Sequence, residues 1–321
     1  MILKKRNEPE SILFLKRGLV RCKKNRQEIQ LELRNLEKGY QSEMKLDFYL
    51  HRMALSTQMV ILQDIRLPAA DGQTFFQIDS LLLTPYFGFI IDVKSQAGQF
   101  IFQHNARKFH YQLHGTKYGM KHPVSQVEEQ EDQLINWLGG EWSKYTMVSV
   151  TALADPGAEV MADASSEWVY DRVMPFDLLK IRLKEASGNF IESFFQMNQL
   201  VEVGRRLAKA HCKPVLYYWK KFDLQDRDVA RGVLCPFCNR LGMTRLRVIW
   251  ECPHCGGRDR HAHLLSLFDY FVFVKPTMTN KECRDFLGIR NVHTARTLLN
   301  NCGILDWKGE NRGRVYFLKK R

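Results

Sequence analysis

Residues 75–94 constrain this chain more than any other stretch. Two apolar runs, Phe75–Thr84 and Gly88–Lys94, flank Pro85-Tyr86. Runs of this length beside a turn dipeptide predict two strands joined tightly. Centring the turn on Pro85-Tyr86 pairs Leu83 with Gly88, and the same register sets Asp79 opposite Asp92 with Cβ atoms ~5 Å apart. Period two puts Lys94 on that face, ~7 Å beyond Asp92, and sends Phe89, Ile91 and Val93 to the other. Two facing carboxylates on apolar strands repel. A divalent cation removes the conflict, and hard oxygen ligands suit Mg²⁺ or Mn²⁺. The adjacent ammonium can then stabilise charge on a phosphate, or orient and help deprotonate an attacking water. Glu43, upstream, offers a further carboxylate. The bland alternative is a pair of edge-facing aspartates with a surface lysine, because Asp-x-Lys is short and frequent by chance.

Around this hairpin the pattern predicts a helix from Ile12 to Lys38 that continues to about Leu55, with Leu46, Tyr49, Leu50 and Met53 as its apolar stripe. Further strands are expected at Val60–Leu67, Gly98–Gln103, Lys108–Leu113 and Thr146–Ala152. Helices are expected at Pro123–Leu138, Phe176–Leu183 and Phe190–His211. Strands flanked by helices imply an α/β or α+β domain over residues 38–212. Residues 1–37 make a basic helical arm before it, and residues 213–234 a connector after it.

The hairpin resembles the nuclease-related domain group of the PD-(D/E)xK, restriction-endonuclease-like superfamily. The resemblance rests on Gly39-Tyr40-Gln41-Ser42-Glu43, Gln77–Thr84, Gly88–Lys94 with Gly98 beyond, and Pro123-Val124-Ser125-Gln126, within residues 39–155. It implies a mixed sheet flanked by helices, Mg²⁺ dependence and cleavage of DNA or RNA. It also implies roles: Asp79 and Asp92 as metal ligands, Lys94 as the catalytic lysine, Glu43 and Gln126 as supporting site residues. Two positions depart from the pattern. Ile78 precedes Asp79 in place of proline, and Asp92 stands where this group usually has Glu, one methylene longer.

Cys235-Pro236-Phe237-Cys238 and Cys252-Pro253-His254-Cys255-Gly256 are separated by 13 residues. Two such turns present four thiolates to one ion, and a four-cysteine site is closed and structural. Residues 235–260 therefore resemble a zinc ribbon, although redox pairs and iron are the rival readings. Arg240, Arg245, Arg247, Arg258 and Arg260 surround it as phosphate contacts or a solvated face. His254, His261 and His263 are expected at the surface rather than on the metal. Residues 261–321 look like a winged helix-turn-helix. A helix capped by Thr279 or Asn280 is followed by a second that starts near Asn291 and offers Arg290, Asn291, His293 and Arg296 as recognition residues. Its hairpin tip would present Lys308, Arg312 and Arg314 to phosphates. A small helical cap that binds protein is the competing reading.

Charge bears on the partner. Lys and Arg number 48 against 35 acidic residues, a net +13. Residues 1–26 hold nine basic and two acidic side chains, residues 281–321 ten and four, so the excess lies at the ends. A polyanion gripped from both ends fits this, with DNA ahead of RNA. No run approaches the ~20 apolar residues of a membrane span. Met1–Val20 is interrupted by charge, unlike a secretory signal. The expected location is the cytoplasm, without a membrane partner; a protein partner or second copy stays open. The leading expectation is a metal-dependent nuclease. The others are a non-catalytic nucleic-acid-binding protein on a degenerate nuclease scaffold and a subunit active only in an assembly.

Overall fold

A computed structural model describes residues 1–54, 58–189 and 192–319, the side chains of residues 53, 54, 189 and 312 excepted. The expected helix limits at Leu55 and Phe190, and the side chain of Arg312, lie outside the described residues. The chain divides into two compact units, Met1–Glu8 with Lys38–Lys213 and Pro9–Glu37 with Pro214–Arg321. The architecture is mixed α/β, with several sheets.

The first unit opens with β1 (Ile2–Lys4). Helix α1 (Glu10–Arg21) belongs to the second unit, and α2 (Arg26–Ala54) contributes residues to both. Strands β2 (Val60–Pro68), β3 (Phe75–Leu83), β4 (Gly88–Lys94), β5 (Gly98–Gln103), β6 (Lys108–Leu113) and β7 (Thr116–Tyr118) follow. Then come α3 (Pro123–Leu138), β8 (Met147–Leu153), β9 (Ala158–Ala162), β10 (Val173–Pro175), α4 (Phe176–Asn189) and α5 (Met197–Ala210). The main sheet has the order β1-β2-β3-β4-β8-β10, antiparallel across β2-β3-β4 and parallel elsewhere. A smaller sheet runs β7-β6-β5-β9. Strands β3 and β4 are interior, so the aspartates are not edge-facing.

Both faces of the main sheet are apolar. Val60, Leu62, Leu81, Leu83 and Ile90 pack with Leu134 of α3 and Leu200 and Leu207 of α5. Ile61, Leu82, Phe89 and Ile91 pack with Leu46 and Leu50 of α2 and Leu179 of α4. The alternation inverts within two strands. Ile65 and Leu67 share a face with Val60 and Leu62, and Phe76 and Ile78 share it with Leu81 and Leu83. In β2 the change falls at Asp64, whose left-handed φ of 53° takes it out of the β2–β3 ladder; in β3 it falls at Asp79, which is outside the ladder as well, and the register on either side is unchanged. Gly88 lies where a Cβ would meet the Met147 sulfur at 2.2 Å, so any side chain there would have to displace Met147.

In the second unit, α6 (Tyr218–Lys221) precedes the sheet β11 (Val233–Leu234), β12 (Leu241–Leu246), β13 (Ile249–Glu251) and β14 (Arg258–Asp259). Helix α7 (His263–Phe273) is almost wholly buried. The chain then makes β15 (Met278–Thr279), α8 (Asn280–Leu287), α9 (Val292–Asn301), β16 (Leu305–Lys308) and β17 (Val315–Leu318), with sheet order β15-β17-β16. Thr279 caps α8 reciprocally with Glu282, and Asn291 caps α9.

Several expectations are corrected. Residues 1–37 are no single helical arm: Ile2–Lys4 is a strand parallel to β2, and the helix breaks at Cys22–Asn25, where Asn25 takes φ 55°. Nor is the arm a free basic surface. Arg17 and Arg21 are buried on Asp269, at 2.6 and 2.5 Å, and Arg6 is buried too. Residues 213–234 are more than a connector, since α6 and β11 lie in them and Tyr218, Phe222, Leu224 and Val229 are buried. Helix α5 starts at Met197, because Phe194 and Phe195 donate their N–H groups to Pro85 O and Phe195 stacks on Trp142 at 4.4 Å.

Candidate functional site

The β3–β4 register is the expected one, with Leu83 opposite Gly88 and Ser80 opposite Ile91. Asp79 and Asp92 are the next pair, just past the ladder. Both backbone partners of Asp79 have moved away. On the β2 side Asp64 has left the ladder, and the Asp79 carbonyl accepts from Arg6 Nη2 at 2.6 Å. On the β4 side Asp79 Oδ2 accepts the Val93 N–H at 2.9 Å.

Asp92 is 2% exposed. Its Oδ1 accepts from Gln126 Nε2 at 2.6 Å and from Gln130 at 3.4 Å, and its buried Oδ2 lies 2.7 Å from Lys94 Nζ. Lys94 in turn donates to Gln126 Oε1 at 3.0 Å. Asp92, Lys94 and Gln126 thus close a ring of contacts. Helix α3 reaches it because His122 and Pro123 start the helix there, and Thr151 Oγ1 on β8 donates to the Pro123 carbonyl at 3.3 Å. The lysine is half-buried, so the surface-lysine alternative does not describe it.

Glu43 stands with a residue the sequence pattern did not single out. Arg6 contacts Glu43 at 2.5 Å and Asp47 at 2.9 Å, besides the Asp79 carbonyl. Glu43 and Asp47 are one helical turn apart, as are Gln126 and Gln130; that i, i+4 spacing is the signal that could have found Asp47 and Gln130. Nothing local marks Arg6, which arrives from 37 residues away in sequence.

The electrostatics follow from burial. Desolvation first, then the carboxylates of Asp92 and Glu43, push Asp79 well above the usual carboxylate range. Burial lifts Glu43 to about 7 against the pull of Arg6. Burial also opposes the charge on Arg6, but Glu43 and Asp47 outweigh it and raise its pKa. A buried carboxylate and a half-buried one on neighbouring strands, the latter strongly disfavoured as an anion, fit a hard divalent cation. Among the described residues only the four cysteines gather three or more potential ligand atoms within 4.8 Å of one another. Glu43, Asp79 and Asp92 form no such three-carboxylate cage.

The cysteine cluster is compatible with zinc. Cys235 and Cys255 sulfurs are 3.7 Å apart, Cys238 and Cys252 3.6 Å. The two turns are built alike. Cys235 N–H donates to Arg240 O and Asn239 N–H returns to Cys235 O; Cys252 N–H donates to Gly257 O and Gly256 N–H returns to Cys252 O. Asn239 and Gly256 hold equivalent left-handed positions, φ 54° and 69°. His254 and His261 are exposed, but His263 is buried and accepts from the Trp250 indole at 3.2 Å, which corrects its expected surface position. Arg245 is half-buried over the Trp250 ring rather than solvated. In the C-terminal elements Arg290, His293, Arg296 and Lys308 are exposed, Asn291 spends its side-chain oxygen on the His293 and Thr294 N–H groups, and Arg314 lies over Trp307.

Residues 38–154 match the nuclease-related domain family. No curated protein and no solved structure matches the chain. The matched segment contains Glu43, Asp79, Asp92, Lys94 and Gln126; Arg6, the four cysteines and the C-terminal elements lie outside it. Among the described residues no helix is long and apolar enough to cross a membrane.

Proposed function

We propose that the chain is a divalent-metal-dependent nuclease that hydrolyses phosphodiester bonds in DNA, on a restriction-endonuclease-like fold. The observation that carries this reading is the ring of buried Asp92 with half-buried Lys94, on an interior strand, and Gln126 of α3, beside Asp79, all within the segment that matches a nuclease-related family. Asp79 and Asp92 would hold Mg²⁺ or Mn²⁺, which when bound polarises a phosphate and acidifies water. Lys94 holds its ammonium at the exit of the ring, where it can meet charge developing on the phosphate. Gln126 keeps Lys94 and Asp92 in register by bonding both. Arg6 holds the Asp79 backbone and restrains Glu43.

The cysteine module would hold a structural zinc ion. The order helix, strand, helix, helix and two-stranded hairpin over residues 261–321 supports a winged helix-turn-helix. Arg290, His293, Arg296 and Lys308 are then its contacts to DNA. The ion pair that Lys94 already makes with Asp92 favours a second reading, a degenerate scaffold that binds nucleic acid without cutting it. Incubation of the protein with plasmid and single-stranded DNA in Mg²⁺, Mn²⁺ or chelator, beside Asp92→Ala and Lys94→Ala, separates the two. Metal-dependent cutting that both variants lose is the expected result. Salt-sensitive binding without cutting in all three proteins supports the scaffold.

A further inference from the structure

The surface beside the carboxylates is aromatic. A cleft of about 820 Å³ runs along α2, lined by Tyr40, Met44, Phe48, Tyr49 and Phe176, with Lys45 among its polar groups. That volume lies in the ~300–1,000 Å³ range of small-molecule sites. The cleft's lining does not include Glu43, Asp79, Asp92, Lys94 or Gln126; it adjoins the candidate site through neighbouring residues. Leu153, in its wall, is the Cα partner of Lys94, and Ala154 beside it donates its N–H to the Lys94 carbonyl at 2.9 Å. On α2, Tyr40 and Met44 lie within one turn of Glu43.

Phe48 and Tyr49 are exposed, Phe176 is half-buried against the core, and Arg52 lies over the Phe48 ring at 5.8 Å. Phe48 meets Tyr49 edge-on at 6.2 Å, Tyr49 meets Phe176 edge-on at 6.5 Å, and Phe48 is 60% exposed. Unpaired nucleobases stack on such faces whatever their identity. A duplex keeps its bases within its own stack and would present only backbone here. Lys45 is the one basic residue in the lining and stands with Asp155 and Asp177, so the rings rather than charge would carry the binding.

We propose that this cleft holds unpaired bases of the nucleic-acid strand engaged at Asp79, Asp92 and Lys94, so that single strands are preferred over duplex. The inference rests on the nuclease reading of that neighbouring site. The test is fluorescence anisotropy with the full chain, without added divalent metal. The probes are a thymidine oligonucleotide, the same backbone lacking bases, and a duplex of equal length. The thymidine strand should bind more tightly than both. Phe48→Ala should remove about ten-fold of its affinity and leave the baseless strand unchanged. Phe48→Tyr should keep the wild-type preference, and Phe48→Leu, which retains apolar volume without a ring, should lose it. Equal affinity of the wild type for strands with and without bases, or an equal loss on both in Phe48→Ala, overturns the proposal. Cleavage is scored separately. Base-dependent binding without any cutting refutes the nuclease and leaves the cleft standing, whereas cutting without base dependence refutes the cleft alone.

Discussion

At the cysteine cluster every donor comes from residues 235–255, on two turns of one shape. At the carboxylate centre Arg6, Glu43, Asp79, Asp92 and Gln126 come from five separate stretches of the first unit. The cysteine turns are preformed by their own backbone bonds, and they bring four thiols within reach of one ion. The carboxylate centre is held by protein alone. Lys94 offsets Asp92, and Arg6 offsets Glu43 and Asp47, while Asp79 remains a half-buried acid with like charges as neighbours. The difference teaches what each metal would do. An ion that completes a fold belongs to the first kind of site, and an ion that relieves a stored electrostatic conflict belongs to the second.

The comparison breaks first at the cysteines. Structural zinc carries about 10–16 kcal/mol of apparent binding energy in small modules, which there is folding energy. Cys252→Ser should abolish stoichiometric zinc and melt the module around Trp250, read by metal analysis and by Trp fluorescence. Retained fluorescence and metal in that variant would mean the thiols are not jointly ligands. By contrast, loss of one supporting group at the carboxylates should weaken without collapse. Gln126→Ala should lower metal-dependent cutting by about 10- to 100-fold, as for groups that orient metal ligands, with an unchanged melting temperature. An inactive but unfolded variant would count against the ring as a functional device.

The two centres were also unequally legible. The cysteine spacing states the site outright, because both turns are local and the ligand chemistry is specific. The hairpin register was legible from Leu83–Gly88 to Ser80–Ile91, since a turn at Pro85-Tyr86 fixes it, but the ladder ends before Asp79 and Asp92, whose direct pairing the pattern implies. Arg6 was hidden because its partners are 37 to 74 residues away and a lone arginine in a basic stretch carries no pattern. The break in the ladder at Asp64 was hidden too, for a left-handed aspartate leaves no mark in a strand of Val, Ile and Leu. The basic ends misled for the same reason. Charge is countable in sequence, but whether Arg17 and Arg21 face water or Asp269 is decided only by the packing of α1 on α7.

A smaller effect sharpens the contrast through pH. Burial first, then Arg245 and His261, hold His263 at about 4 where 6.5 is ordinary. Between those values the unfolded chain binds a proton that the folded chain refuses. The contribution is therefore complete above 6.5 and is lost as pH falls toward 4, by at most ~1.4 kcal/mol per pH unit. Thermal unfolding of the wild type should show this slope in excess of His263→Asn. Parallel curves for the two proteins would remove the assignment.

The smallest effect has the opposite sign from most substitutions at buried sites. Asp79 is surrounded by burial and by the charges of Asp92 and Glu43, all of which disfavour its ionised form. Asparagine keeps the volume and an oxygen for the Val93 N–H, and it removes the repulsion. Without divalent metal, Asp79→Asn should therefore stabilise the protein, by about 0.5–2 kcal/mol, the usual gain when functional strain is relieved. Adding Mg²⁺ should raise the melting temperature of the wild type and leave the variant where it was, because the variant has lost both the conflict and the ligand. If the variant is less stable than the wild type in metal-free buffer, then the aspartate is held by favourable contacts that outweigh repulsion. The carboxylate centre would then be a structural network of the same standing as the Arg17–Asp269–Arg21 cluster, not a site waiting for an ion.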